Sequence, residues 1–170
     1  MPVLRDIGTL VTCAEPGGQS VVHPITDAAL VWEGETILWV GRATDLPTEY
    51  ARWETRVAGG ALVIPGLVDC HTHLAFGGWR AEEFEQRIRG RSYLEIAASG
   101  GGIVATVAKT RAATTGELRR RCDAHLAAMA ELGVTTVEAK SGYGLSTEHE
   151  LRLLEVYRDL GTGPQRVVPT

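Results

Sequence analysis

The sequence has little cysteine, no long apolar run and no extended basic stretch, and each lack closes off a class of protein. Its three cysteines, Cys13, Cys70 and Cys122, are odd in number, far apart and never in a C-x-x-C pair. Neither a disulfide framework nor a zinc knuckle is indicated, and a reducing compartment is expected. No stretch approaches the roughly 18 apolar residues of a membrane span, and Arg5 and Asp6 interrupt the N-terminus before a signal-like apolar segment can form. A cytoplasmic location and no membrane partner are therefore expected. Lysines and arginines do not run beyond Arg119-Arg120-Arg121, and the formal charge of −4 with a pI near 5.7 gives no footprint for nucleic acid. Any anionic ligand must be held by local groups. There is no internal repeat, and low complexity is confined to Ser99-Gly100-Gly101-Gly102.

What is present is an ordinary globular composition: 170 residues, 44% hydrophobic and 22% charged, enough for a sizeable core and, by length alone, one domain. Residues 1–60 read as β-rich. Ala28–Trp32 and Thr36–Val40 are short apolar runs parted by Glu33-Gly34-Glu35, which predicts a hairpin. Thr9–Cys13 can add a strand, while Pro16-Gly17-Gly18 and His23-Pro24 are turn or edge punctuation. From Ala61 to Leu74 the apolar signal is continuous rather than alternating, as expected of a buried parallel strand.

Two helices are predicted after it. The first sets Leu118, Cys122, Leu126, Met129 and Leu132 on one face behind the capping-box spelling Thr114-Thr115-Gly116-Glu117; it stops at Gly133 and leads into a strand over Val134–Ala139. The second carries Leu151, Leu154 and Tyr157 behind Thr147-Glu148-His149-Glu150, again a capping-box spelling, and ends at Gly161-Thr162-Gly163-Pro164. Another apolar run begins at Arg166. This order is the βαβ signature of a parallel sheet. A full (β/α)8 barrel takes roughly 250 residues, and only about 110 follow the β-rich part, which leaves a smaller α/β domain or a fragment. A stop inside an apolar run favours the fragment.

His71 and His73 flank Thr72 at the C-terminal end of the expected buried strand, where a period of two turns both imidazoles to one side. Active sites of barrels sit at that end of their strands. Neutral imidazole suits Zn²⁺ or Fe²⁺, and such a metal is a Lewis acid that lowers the pKa of a bound water to about 7. A lone H-x-H also fits a plain polar strand end, but the preceding Pro65-Gly66-Leu67-Val68-Asp69 and the apolar surroundings weigh against that. Gly100-Gly101-Gly102 lacks the lysine and spacing of a phosphate loop and reads as a mobile loop over a site. His125, on the apolar face of the first helix, reads as a core histidine; His149 and His23 read as structural or solvated.

The segment Pro65–Leu74 resembles the first barrel strand of the amidohydrolase superfamily, in which H-x-H supplies two metal ligands. Downstream, Phe76-Gly77-Gly78-Trp79-Arg80, Arg91-Ser92-Tyr93-Leu94-Glu95-Ile96, Gly100-Gly101-Gly102-Ile103, Thr110-Arg111-Ala112-Ala113-Thr114 and Lys140-Ser141-Gly142-Tyr143-Gly144-Leu145 are similar, in that order, to the imidazolonepropionase family. The likeness runs from the first hairpin to Thr170. It implies an α/β fold: the start of a (β/α)8 TIM-type barrel over 61–170, with two βα units and a third strand, preceded by a small β-sandwich module over 1–60. It also implies metal-dependent hydrolysis of a cyclic amide, 4-imidazolone-5-propanoate, to N-formimidoyl-L-glutamate in histidine degradation.

By the same resemblance, His71 and His73 match ligands of one divalent metal, Zn or Fe. Arg80 matches the residue that grips the substrate propionate, a task suited to a guanidinium, which can pair bidentately with a carboxylate. Tyr143, in a turn whose two glycines permit a tight loop, and Tyr93 match substrate-binding positions. Plainer roles stand beside these: Arg80 as a surface arginine, Tyr143 as a packed loop aromatic, Tyr93 packed under a short helix at 94–97. Lys140 invites comparison with the carboxylated lysine of binuclear relatives, but that lysine comes from a later strand, so a mononuclear site is implied and Lys140 is a charged strand end.

The family's other metal ligands, a later histidine and an aspartate, and its water-activating groups lie beyond Thr170, so no catalytic residue is assigned. A catalytic metal usually has three protein ligands. The 170-residue chain alone is thus expected to be inactive, to bind metal weakly and to associate through an open strand edge, and the full-length form to be a homo-oligomer. The expected partner is a small anionic substrate. Two other readings compete: another cyclic amidohydrolase or aminohydrolase, dihydroorotase-like or guanine-deaminase-like, which shares the histidines but has no reason to carry Arg80 and Ser141–Leu145, and a non-catalytic folded fragment.

Overall fold

The computed structural model describes residues 2–18, 20–160 and 163–170. It divides into two compact units, Met1–Pro65 and Gly66–Thr170. The first unit is a five-stranded sheet built from β1 (Pro2–Val11), β2 (Pro24–Glu33), β3 (Thr36–Arg42), β4 (Glu54–Val57) and β5 (Leu62–Val63). The expected hairpin is the antiparallel β2–β3 pair, in which Glu33 faces Thr36 across the turn. β1 is antiparallel to β2 on one side and parallel to both β4 and β5 on the other. It begins earlier than the sequence suggested and ends at Val11, so Thr12 and Cys13 lie past it. Ile7, Leu10 and Ala28 form the centre of its core, with Ile25, Ala58 and Val63 packed around them.

The second unit is α/β. Its sheet is parallel, in the order β6 (Leu67–Thr72), β7 (Val134–Ala139), β8 (Arg166–Pro169). Among the described residues five α-helices accompany it: α1 (Ala81–Ile88), α2 (Tyr93–Ala98), α3 (Ile103–Ala112), α4 (Thr115–Glu131) and α5 (Thr147–Asp159). The core lies where α4 and α5 cover the sheet: Leu118, Cys122 and Leu126 of α4 meet Val137 and Ala139 of β7 and Leu153, Val156 and Tyr157 of α5. Among the described residues, no helix is long and apolar enough to cross a membrane.

Several expectations need correction. The run Ala61–Leu74 is not one buried strand. Leu62–Val63 pairs with β1 of the first unit, Pro65-Gly66 interrupts the extended run, and among the described residues β6 has a single strand partner, with Leu67 and Val68 exposed. On α5 the buried stripe is Leu153, Val156, Tyr157 and Leu160, an i, i+3, i+4, i+7 set, whereas Leu151 is exposed and Leu154 half-buried. On α4, Leu132 at the C-cap is also exposed.

The capping box at Thr114 and Glu117 forms as spelled. The one at Thr147 does not: Ser146 is the N-cap, which puts His149 at the third helical position and Glu150 one place later, with its side chain turned elsewhere. Helix α5 ends at Asp159; the predicted stop at Gly161 and Thr162 lies outside the described residues. Gly100–Gly102 is an anchored turn rather than a free loop. Gly101 donates its N–H to Ile96 C=O, and buried Gly102 donates to both carboxylate oxygens of Glu83 at 3.0 Å.

The packing of α4 is directly testable through its cysteine. Burial pushes the Cys122 thiol up to about 12, so almost no thiolate is present at neutral pH, while Cys13 and Cys70 are exposed. Native protein titrated with a disulfide reagent should release two equivalents per chain, with the third appearing only in denaturant. Rapid release of three from the native state would contradict this packing.

Candidate functional site

His71 lies near the end of β6 and His73 just past it, with ring centroids 5.9 Å apart and planes inclined at 70°. The strand end is fixed by its neighbour: Thr72 Oγ1 donates to Glu138 C=O at 2.6 Å, and the Lys140 N–H donates to Thr72 C=O at 2.8 Å. The Asp69 carboxylate accepts the His71 N–H at 3.2 Å. His71 is exposed. His73 is half-buried, and its Nδ1 is buried without a hydrogen-bond partner. Its imidazole stands against Gly142, where an added Cβ would come within 2.8 Å of the ring. The Tyr143 ring follows, its centroid 4.9 Å from that of His73.

A cleft of about 420 Å³ opens here, lined by His73, Phe76, Trp79, Arg80, Phe84 and Tyr143 among others. Three of the residues singled out from sequence thus share one cavity. Two do not. His71 is not among the lining residues, and Tyr93, the first residue of α2, faces a smaller neighbouring cavity of about 230 Å³ whose wall it shares with Arg80, Glu83, Arg87 and Ile96. Arg80 borders both. Its guanidinium lies 3.4 Å from the Glu83 carboxylate that also holds Gly102. A ligand carboxylate at Arg80 would therefore share the guanidinium with Glu83.

His125 half-buries in the core as expected, with Nδ1 3.2 Å from Leu74 C=O and its ring stacked on Phe76 at 5.4 Å. His149 sits in the first turn of α5 and His23 lies 3.9 Å from Glu15 in the first unit. Lys140 bonds Glu138 at 2.8 Å, and this contact holds the Glu138 carboxyl below the usual carboxylate range.

The side chains that set this geometry come from α3 and α5, and the sequence did not reveal them. The Tyr157 hydroxyl accepts the Ala75 N–H and donates to Lys140 C=O, each at 3.0 Å, tying the segment after β6 to the segment after β7. Burial pushes its phenol up, so it remains a donor across the physiological range. Thr110 Oγ1 accepts the Gly77 N–H at 2.8 Å and seats the Phe76–Arg80 segment on α3. Arg152 caps the end of α3 through Thr110 C=O at 2.8 Å. The Glu150 carboxylate accepts the N–H groups of Gly142, Gly144 and Leu145. Its only sequence signal is an acidic residue a short step after a Gly-x-Gly turn.

Two imidazoles beside one another, one with an unpartnered buried nitrogen, suit a divalent transition metal as two of its ligands. No group of three His, Cys, Asp or Glu side chains able to hold a metal occurs among the described residues.

No family model matches the chain. Among curated proteins it is 53% identical over 137 residues to an imidazolonepropionase of Paraburkholderia phymatum, covering 81% of this chain and 34% of that protein. It is 48% identical over 161 residues to that of Paracoccus denitrificans, covering 95% and 40%. By sequence, the chain belongs to the imidazolonepropionase family. It spans between about a third and two fifths of the length of these relatives. Among solved structures, the ochratoxinase of A. niger superposes with a TM-score of 0.58 at 19% identity over 99% of this chain and 30% of that one. A zinc-bound atrazine chlorohydrolase of Arthrobacter aurescens TC1 gives 0.54 at 20% identity over 100% and 35%. At such identities the likeness is one of fold.

The Tyr157 bridge can be weighed directly. Tyr157→Phe keeps the ring but leaves the buried Ala75 N–H and the half-buried Lys140 C=O without this partner, which costs about 1–3 kcal/mol. Urea unfolding of the two proteins should differ by that amount at unchanged m-value. Equal midpoints would mean that the hydroxyl contributes nothing to joining the two segments.

Proposed function

We propose that this chain supplies part of the active site of an enzyme that hydrolyses the cyclic amide of 4-imidazolone-5-propanoate, giving N-formimidoyl-L-glutamate in histidine degradation. The observation that carries the reading is the single cleft in which His73, Arg80 and Tyr143 meet. Sequence identity near 50% to imidazolonepropionases supports it. The parallel sheet with covering helices is proposed as the start of a (β/α)8 barrel, and the sheet of residues 1–65 as part of a β-sandwich.

In this reading His71 and His73 hold one zinc or iron ion together with donors from the rest of the enzyme. That ion supplies Lewis-acid polarisation of the amide carbonyl and activation of water. Arg80 binds the propionate by a charge-assisted pair and shares its guanidinium with Glu83. Phe76 and Trp79 provide apolar walls, and Tyr143 and His73 border the space left for the ring. Tyr93 acts from the adjoining cavity, across Arg80. Overall, water adds its hydroxyl to the carbonyl carbon and a proton to the departing nitrogen as the ring C–N bond breaks.

The roles separate in a protein of the relatives' full length carrying these residues. Arg80→Ala removes a charge-assisted bond of about 1.5–3 kcal/mol, so KM should rise on the order of ten- to a hundredfold with metal content unchanged. His71→Ala should instead lose metal. Equal metal loss in both variants would make Arg80 structural.

A further inference from the structure

The turn that carries Tyr143 has no regular backbone pairing of its own. Residues 141–146 lie between β7 and α5, and three successive features call for outside support of the turn. Gly142 has φ +136° and lies against the His73 ring. Gly144 is buried so closely on α5 that a Cβ there would meet the Glu150 N at 2.7 Å. Leu145 takes φ +49°, a left-handed conformation that a branched side chain adopts only when its surroundings enforce it.

One carboxylate satisfies all three. Glu150 Oε2 accepts the Gly142 N–H at 2.6 Å, while Oε1 accepts those of Gly144 at 2.9 Å and Leu145 at 2.6 Å. The opposite side of the turn is held by Arg111, whose guanidinium donates to Gly144 C=O at 2.7 Å and Leu145 C=O at 3.0 Å. The turn is thus gripped by an anion on its N–H side and a cation on its C=O side. Charge-assisted bonds of this kind are about twice as strong as neutral ones. Glu150 is free for the task because the N-cap of α5 is Ser146 rather than Thr147, which leaves Glu150 one place past the capping-box position.

We infer that Glu150 is a positioning residue of the site: by collecting three N–H groups of the turn, it aims Tyr143 into the cleft and sets Gly142 as the seat of His73. It is not among the residues that line the cleft and acts through the backbone of 142–145. The inference rests on the substrate-binding reading of the cleft for its consequence, and on the hydrogen bonds alone for its cause.

The test compares a full-length protein carrying this sequence with its Glu150→Gln variant, which is isosteric but replaces one acceptor by a donor, and with Glu150→Asp, which keeps the charge on a shorter arm. Two readouts are needed. Amide hydrogen exchange at Gly142, Gly144 and Leu145 should quicken on the order of a hundredfold in E150Q, with β7 protection unchanged. KM for 4-imidazolone-5-propanoate should rise on the order of tenfold, more than kcat falls and at unchanged metal content, with E150D intermediate in both. If E150Q does not fold, E150D alone must show the same paired changes. Unchanged exchange would overturn the inference, and so would faster exchange with unaltered KM. A parent protein that does not turn over this substrate would count against the proposed function instead, and the exchange readout would still decide whether Glu150 holds the turn.

Discussion

The Tyr157 hydroxyl is the point on which the site's geometry turns. Among the described residues it is the one side-chain group that bonds both the segment leaving β6 and the segment leaving β7, through Ala75 N–H and Lys140 C=O. Those segments carry His73 on one side and Tyr143 on the other, so their separation is set by a phenol approaching from α5. Because the ring is itself packed among Leu118, Cys122 and Val137, the core and the site share one element. Disturbing the core therefore disturbs the site, which is why interior residues remote from the cleft matter to it.

Helix α5 serves the site along most of its length. Glu150 grips the Tyr143 turn, Arg152 reaches the end of α3, and Tyr157 joins the strand ends, while Leu153 and Val156 anchor the helix in the core. The opposite support is α3, whose Thr110 seats the Phe76–Arg80 segment. The cleft-lining side chains on irregular segments are thus held by hydrogen bonds from two helices, the arrangement by which a rigid scaffold gives precision to an otherwise irregular segment.

What could be read from the sequence follows the range of the forces involved. Thr114 and Glu117 bond each other across one turn, so their spelling sufficed to place the start of α4; Gly34 between two apolar runs did the same for the hairpin. That His71 and His73 lie beside one another at a strand end was legible, because a spacing of two residues needs no knowledge of the rest of the fold, whereas the placing of His71 outside the cleft was not. Helices α1 and α3 went unread: the apolar residues of α1 are largely exposed, and only Val107 of α3 is a buried apolar residue. The face of α5 was misplaced by one stripe because Leu151 and Leu154 lie beside Leu153 and Val156 in a sequence that is apolar on both. Tyr157 and Glu150 act over separations fixed only when β6, β7 and α5 come together, and no local pattern announces that.

The most direct measurement is a crystal structure of a full-length protein carrying these residues, with metal and N-formimidoyl-L-glutamate bound. A metal on both His71 and His73, the side-chain carboxylate of the ligand within hydrogen-bond reach of Arg80, and Tyr143 against the ligand are the expected result. A ligand bound away from this cleft, or a metal held without either histidine, would contradict the assignment of the site.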